Sequence, residues 1–411
     1  MATSRSSTWF WVLAVLFLVA VASSAVPSPL YPVYAAEWDL SPFMLTAAFA
    51  AYMVGILASV LVAGRLSDHV GRRPVLVVGS LGIVVSHVVL ATAGGFAALV
   101  AGRVEQGVAV GVTLGALGAA LIDQAPPGRP ELASTVNAAM PALALSVGAL
   151  ASGTLVQWAP APEVLVYVVF GSVLALLTLL LPLVPDDVER RPGALRSLRP
   201  AISVPAASRV EFRSGARAIA ASWAVAGLFL SLMPSALADV FGTSSHFAAG
   251  ALIAATTGAG ASAVVALQHV DARRALGVGV AALVTGSVLT VASVLLQLLP
   301  GVALGAVVAG VGFGAGFQAP LRLVLATAPP TGRASLISAV YVVCYVAYGL
   351  PALVAGLLVP WLGLSAVIAL YGTLVVIVAA LALAGPRRLT DARPSEEHAV
   401  IATARPGPRR P

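Results

Sequence analysis

The stretch GRLSDHVGRRP, Gly64–Pro74, sets three arginines, a histidine and an aspartate into eleven residues of a 411-residue chain that is only 9% charged. Apolar runs of about twenty residues flank it on both sides, the length at which an α-helix crosses ~30 Å of hydrocarbon. A charged hinge between two such runs reads as the loop joining two membrane spans. Runs of the same length recur along the whole chain, which is 59% hydrophobic with a mean hydropathy of +0.99. Sixteen acids and twenty-three basic residues cannot coat a soluble core of this size. The composition predicts an all-α polytopic membrane protein.

Apolar runs between polar or Pro/Gly-rich breaks predict helices near 9–33, 43–63, 75–93, 97–121, 133–157 and 163–184, then 217–239, 247–267, 275–299, 301–324, 334–358 and 361–384. That is twelve spans in two sets of six. The expected organisation is an N-terminal bundle over 1–184, a linker over 185–216, a C-terminal bundle over 217–384 and a tail over 385–411. The linker carries Arg190, Arg191, Arg196, Arg199, Arg209 and Arg213 and reads as a solvated, disordered connector, with a patch for anionic lipid as the alternative. The first span ends in PSPLYPVY, where Pro27, Pro29 and Pro32 remove amides. It either breaks there and offers backbone groups at a hinge, or ends near Ala25 and leaves as an extended segment.

The arginine pattern orients the spans. With the N-terminus inside, Arg5, the 64–74 loop, Arg129, the linker, Arg273, Arg274, Arg333 and the tail from Arg387 all fall on one side, while Glu37, Asp39, Glu163 and Asp239 occupy the other. By the positive-inside rule both termini are cytoplasmic, in a plasma membrane of the bacterial inner-membrane type. The net charge of +7 then reflects topology, and nucleic-acid binding is an unnecessary explanation. Residues 1–25 share features with a signal peptide, but the first span is needed to complete the first set of six. The single cysteine, Cys344, excludes an intrachain disulfide, and no metal or cofactor motif is visible.

Two short matches point to an internal duplication. APPGRPELASTVNA from Ala125 aligns with APPTGRASLISAVY from Ala328, and LSDHVGRR from Leu66 aligns with LQHVDARR from Leu267, where His269 replaces Asp68. The shifts are nearly equal, as expected for two related six-helix halves. In the 64–74 loop, Gly64 permits close approach of a helix end and Gly71 a turn with positive φ. Asp68 is suited to the N-terminal amides of another helix, and Arg72 and Arg73 hold the arginine-rich side. Such a loop can latch two bundles together in one state and release them in another, although the arginines serve equally as topology signals.

The order Gly64, Arg65, Leu66, Ser67, Asp68, His69, Val70, Gly71, Arg72, Arg73 resembles the signature loop of the major facilitator superfamily. The resemblance extends over residues 9–384 and implies twelve helices, a solute site between the halves and alternating access. It also implies that Asp68 meets the start of the eleventh helix, near Thr331 to Ser335. Arg103, Val104, Glu105, Gln106, Gly107 is similar to the family's fourth-helix pattern, which is linked to proton transfer in proton-coupled exporters.

Charges inside a span cost about 2.5–3.5 kcal/mol on insertion scales, so Arg103 needs a wet cavity or a polar partner. Arg103, Gln106 and Gly107 share one helical face, and Glu105 points elsewhere. A structural hydrogen bond for Arg103, and a position at the helix edge for Glu105, are the plainer readings. His87, alone among valines, is either a titrating group or a hydrogen-bonded core residue. Tyr341, Tyr345 and Tyr348 form a stripe suited to an aromatic solute or to ordinary packing. The fifth span departs from the exporter pattern, since Ala149 stands where a proline is expected and only Gly148 and Gly153 remain.

The expected protein is therefore a secondary transporter and not an enzyme. It moves a small organic solute, with proton-driven efflux as the first reading, proton-linked uptake as the second and a transport-inactive sensor as the third. Its expected partners are the solute, protons and the lipid bilayer, with no cofactor and no second subunit. The latch is assigned to Gly64, Asp68, Gly71, Arg72 and Arg73, and proton coupling to Arg103, Glu105 and His87. Tyr31, Gln106, Asn137, Gln318, Tyr341 and Tyr345 are expected to line the cavity.

Overall fold

The computed structural model describes residues 2–186, 192–329 and 332–383, with residues 2–7 and 130 described by their backbone alone. Within them the chain forms sixteen α-helices and no strand. The first half comprises α1 (Ala2–Ala22), α2 (Tyr31–Trp38), α3 (Pro42–Ala63), α4 (Ser67–Val70), α5 (Arg72–Ala91), α6 (Phe96–Asp123), α7 (Pro130–Trp158) and α8 (Pro162–Leu180). A short helix α9 (Ala194–Ser197) lies in the linker. The second half comprises α10 (Arg209–Ser231), α11 (Met233–Asp239), α12 (His246–Ala266), α13 (Ala272–Leu295), α14 (Leu299–Ala326), α15 (Arg333–Leu362) and α16 (Leu364–Leu383).

Ten of these helices are long and apolar enough to cross a membrane, and α10 with α11 makes an eleventh candidate, bent by 44°. The apolar part of α1, Thr8–Ala22, is shorter than a span but continues through a break into α2. Lipid replaces water around the bundle, so large apolar side chains such as Val54, Val78, Leu176 and Leu179 point outward and stay exposed.

The two halves begin alike. Both first helices are interrupted near their ends, at Ser23–Pro27 and at Leu232. Both second helices start on a serine cap: Ser41 Oγ accepts from Met44 N at 3.3 Å, and Ser245 Oγ accepts from Ala248 N at 3.2 Å.

Two expectations are corrected. The second half begins at Arg209, eight residues before the expected 217, because Arg209 and Arg213 lie on the first turns of α10. The linker is also not structureless between 192 and 208. It holds α9, and Ser203 bonds Ser335 through backbone N to O at 3.4 Å and hydroxyl to hydroxyl at 2.8 Å. Arg190 and Arg191 lie outside the described residues.

The halves meet along two helix pairs. Between α3 and α15 the rings of Phe49 and Tyr348 lie 5.1 Å apart, and Gly349 faces Met53 and Ala50. Between α7 and α12 a Cβ on Gly153 would fall 3.0 Å from the Gly250 Cα. That approach is open only to small residues. The amides that start α12 are held from across the interface, since Gln157 Oε1 accepts from His246 N at 2.9 Å.

Candidate functional site

The interruption in the first helix is the centre of the site. Pro27 has no N–H for the Ser23 carbonyl, and the amides of Ser28 and Leu30 turn to Ala25 and Pro27. Three carbonyls are thereby freed inside the protein. Gln106 Nε2 donates to Ser23 O at 3.0 Å, Arg103 Nη1 to Ser24 O at 3.1 Å, and Ser152 Oγ to Val26 O at 2.6 Å. From the second half, His246 Nδ1 donates to Pro29 O at 3.2 Å. Of the two readings of PSPLYPVY, the structure has the broken helix, which resumes as α2. Gly148, which survives from the exporter pattern, lets α7 approach so closely that a Cβ would strike the Ala22 carbonyl.

Arg103 is 1% exposed and is among the largest fully buried side chains. Its guanidinium also bonds Gln106 Oε1 and lies 4.5 Å over the Tyr52 ring. Spacing of three on α6 brings Arg103 and Gln106 to the break together, as their shared face requires. The plainer reading of Arg103, a structural cross-helix hydrogen bond, describes these contacts. Gln106 is fully buried and committed to backbone, so it caps the break and does not present a free amide to a cavity.

In the second half, α10, α14 and α15 build an aromatic cluster. Trp223 packs edge-on against Tyr348 at 5.4 Å, Tyr345 at 5.6 Å, Phe317 at 5.7 Å and Phe313 at 5.9 Å. Tyr341 stacks on Tyr345 at 6.0 Å, so the expected stripe joins this cluster. Arg103 lies within electrostatic reach of Tyr31 and of Tyr348 in the second half.

Other expected site residues are dispersed. Glu105 is half-buried beside Gly82 of α5 and forms no ion pair among the described residues. His87 bonds Ile83 O at 2.8 Å and lines a groove between α5 and α8. Neither residue bonds Arg103, although His87 lies within its electrostatic reach. Asn137 donates to Gly118 O at 2.9 Å, tying α7 to α6. Gln318 is half-buried next to Phe317 on α14.

The 64–74 loop forms a network of its own. Gly71 has φ +99°, as its place in the turn requires, whereas Gly64 is right-handed and lies against Gly115. Arg72 pairs with Asp68 and, through Nε, with Asp123 at 3.2 Å. Asp186, past the end of α8, receives the amides of Arg72 and Arg73 at 3.1 Å each and so caps α5. Asp68 does not bond to α15. A 260 Å³ cavity lined by Asp68, Gly64, Ser335, Ser338 and Tyr341 lies between them. Thr331 lies outside the described residues.

Asp186, Trp223, Tyr52 and Ser152 were not singled out from the sequence. The signal for Trp223 was a lone indole in an alanine-rich span, and for Asp186 an acid just past a span. Nothing local marks Tyr52 or Ser152.

A sequence model of the Major Facilitator Superfamily matches residues 13–299. The chain is 35% identical over 80 residues to the multidrug resistance protein MdtL of Klebsiella pneumoniae (strain 342), and 34% identical over 80 residues to MdtL of Salmonella typhimurium. Each match spans 20% of this chain and 20% of the relative. In fold the chain is similar to a bacterial homologue of the human lysosomal transporter Spinster. Against its inward-facing, occupied form the TM-score is 0.72 at 15% identity, covering 93% of this chain and 97% of that one. Against the inward-facing, unoccupied form the TM-score is 0.70 at 14% identity, covering 92% and 96%.

Proposed function

We propose, from the premise that the chain belongs to the major facilitator superfamily and is a multi-pass membrane transporter, that it exports a small organic solute by alternating access, driven by protons. The observation that carries this reading is the cluster where the halves meet. Aromatic rings of the second half lie within electrostatic reach of a buried guanidinium of the first, at a break in a helix that touches both halves. A helix interrupted there offers a hinge, and apolar rings with few polar groups suit an amphipathic solute.

The arginine-rich end is assigned to the cytoplasm of a plasma membrane, with both termini inside. Export is supported by the partial match to relatives named as multidrug resistance proteins. The pairs of Arg72 with Asp68 and Asp123, together with the Asp186 cap, serve as the holding network of the cytoplasmic latch. The latch reading assigns Asp68 to the Ser335 end of α15, across the 260 Å³ cavity that both line. Proton coupling is assigned to Arg103 and Glu105, with His87 as the next candidate.

Purified protein in liposomes with an imposed pH gradient tests this. Solute leaving the compartment that protons enter supports export. Solute accumulating with protons turns the reading to uptake, and flux indifferent to pH removes the proton from the mechanism.

A further inference from the structure

Three polar hydrogens near the meeting of the halves have no acceptor in the protein. Arg103 Nε and the Trp223 indole Nε1 are buried without a hydrogen-bond partner, and the Tyr31 hydroxyl, beside Arg103, has no acceptor for its hydrogen. The first two can only donate, and a phenol donates readily. Buried donors left unmade are costly, about 1–3 kcal/mol each in general, so a region that carries three is set up for a ligand that accepts.

The charge balance points the same way. Apart from Arg103, no arginine, aspartate or glutamate among the described residues is fully buried. Ion pairs among those residues join Arg72 to Asp68 and Asp123, both in the signature-loop network. Glu105 faces Gly82 on α5. The buried Arg103 guanidinium therefore has no carboxylate of its own among the described residues. In a low-dielectric site an uncompensated cation repels a second cation and favours an anion.

We infer that the transported solute is a small aromatic organic anion. Its acidic oxygens accept from Arg103 and Tyr31, and its ring packs against Trp223 and Tyr348. This rests on the transport reading above and narrows it to a charge class. It also supports the direction of transport. An inside-negative potential of 100 mV favours outward movement of a monovalent anion by roughly 50-fold, so the membrane potential itself helps to drive export.

Counterflow in liposomes containing the full chain tests the assignment with three probe series built on one ring: aryl sulfonates, aryl trimethylammoniums and neutral aryl sulfonamides. Sulfonates stay ionised and do not leak as neutral acids. The expected result is counterflow of sulfonates in preference to the other two. Tyr31→Phe should weaken sulfonate affinity about 3- to 10-fold, and Trp223→Phe, which keeps a ring and removes the N–H, by a similar factor. Arg103→Gln removes the charge but keeps a donor for the helix break, and should lower sulfonate counterflow at least tenfold relative to the sulfonamides. Preference for the ammonium or neutral series, or sulfonate affinity unchanged in both ring variants, overturns the anion assignment and leaves transport standing. Movement of no series overturns both.

Discussion

At the residue scale, the charge on α6 is accommodated by backbone. Arg103 and Gln106 replace the hydrogen bonds that Pro27 and its neighbours deny to Ser23 and Ser24, and Ser152 does the same for Val26. Removing the Ser152 hydroxyl leaves a buried carbonyl unmade, so Ser152→Ala should cost about 1–3 kcal/mol, read as a lower midpoint in thermal unfolding of the detergent-solubilised protein. Gln106→Leu removes the donor to Ser23 and the acceptor for Arg103 together and should cost more than Ser152→Ala. If proton coupling runs through Arg103, Arg103→Ala uncouples solute flux from the pH gradient, and Arg103→Lys retains part of the coupling because charge survives while the planar fork is lost. Equal loss in both variants would assign Arg103 to hydrogen bonding alone.

At the scale of elements, the two halves solve one problem in two ways. Each needs an anion at the N-terminus of its third helix. In the second half Asp271 supplies it locally, accepting from the amides of Arg273 and Arg274 at 3.1 Å. In the first half the corresponding amides of Arg72 and Arg73 bond Asp186, which lies beyond the last span of that half. Both Asp186→Ala and Asp271→Ala should therefore cost about 1 kcal/mol as lost caps. Asp186→Ala alone should also free the start of the linker, seen as faster proteolysis between residues 185 and 208, whereas Asp271→Ala leaves that rate unchanged.

At the scale of the whole molecule, the proposed alternating access requires the halves to rock across α3/α15 and α7/α12. Bulk at the closest point should block that movement. Gly153→Val places two methyl groups against Gly250, and is expected to abolish flux in liposomes while the protein still inserts. The latch belongs to this scale as well. Asp68→Asn keeps the shape but removes the charge that pairs with Arg72, so turnover should fall several-fold. Labelling of a Ser338→Cys reporter in a Cys344→Ala background should rise, because Ser338 lines the cavity that the proposed latch is to close. Unchanged labelling with wild-type flux would remove the latch from the mechanism.

The sequence by itself determined the class of fold, because apolar run length and arginine placement are local consequences of the bilayer. A twenty-residue apolar run has one stable form in hydrocarbon, and the Gly64–Arg73 order names the loop between two of them. The three prolines marked where the first helix fails for the same reason, since a missing N–H is a property of the residue. What fills the break, which rings surround Trp223, and which acid caps α5 were decided only by the tertiary structure. Asp186 lies 114 positions from Arg72 in the chain, and Ser152 lies 126 from Val26. Hydrogen bonds over such separations depend on how helices pack. In lipid, that packing is set by small-residue contacts such as Gly148 on Ala22 and Gly153 on Gly250, which leave no periodic signal in the sequence.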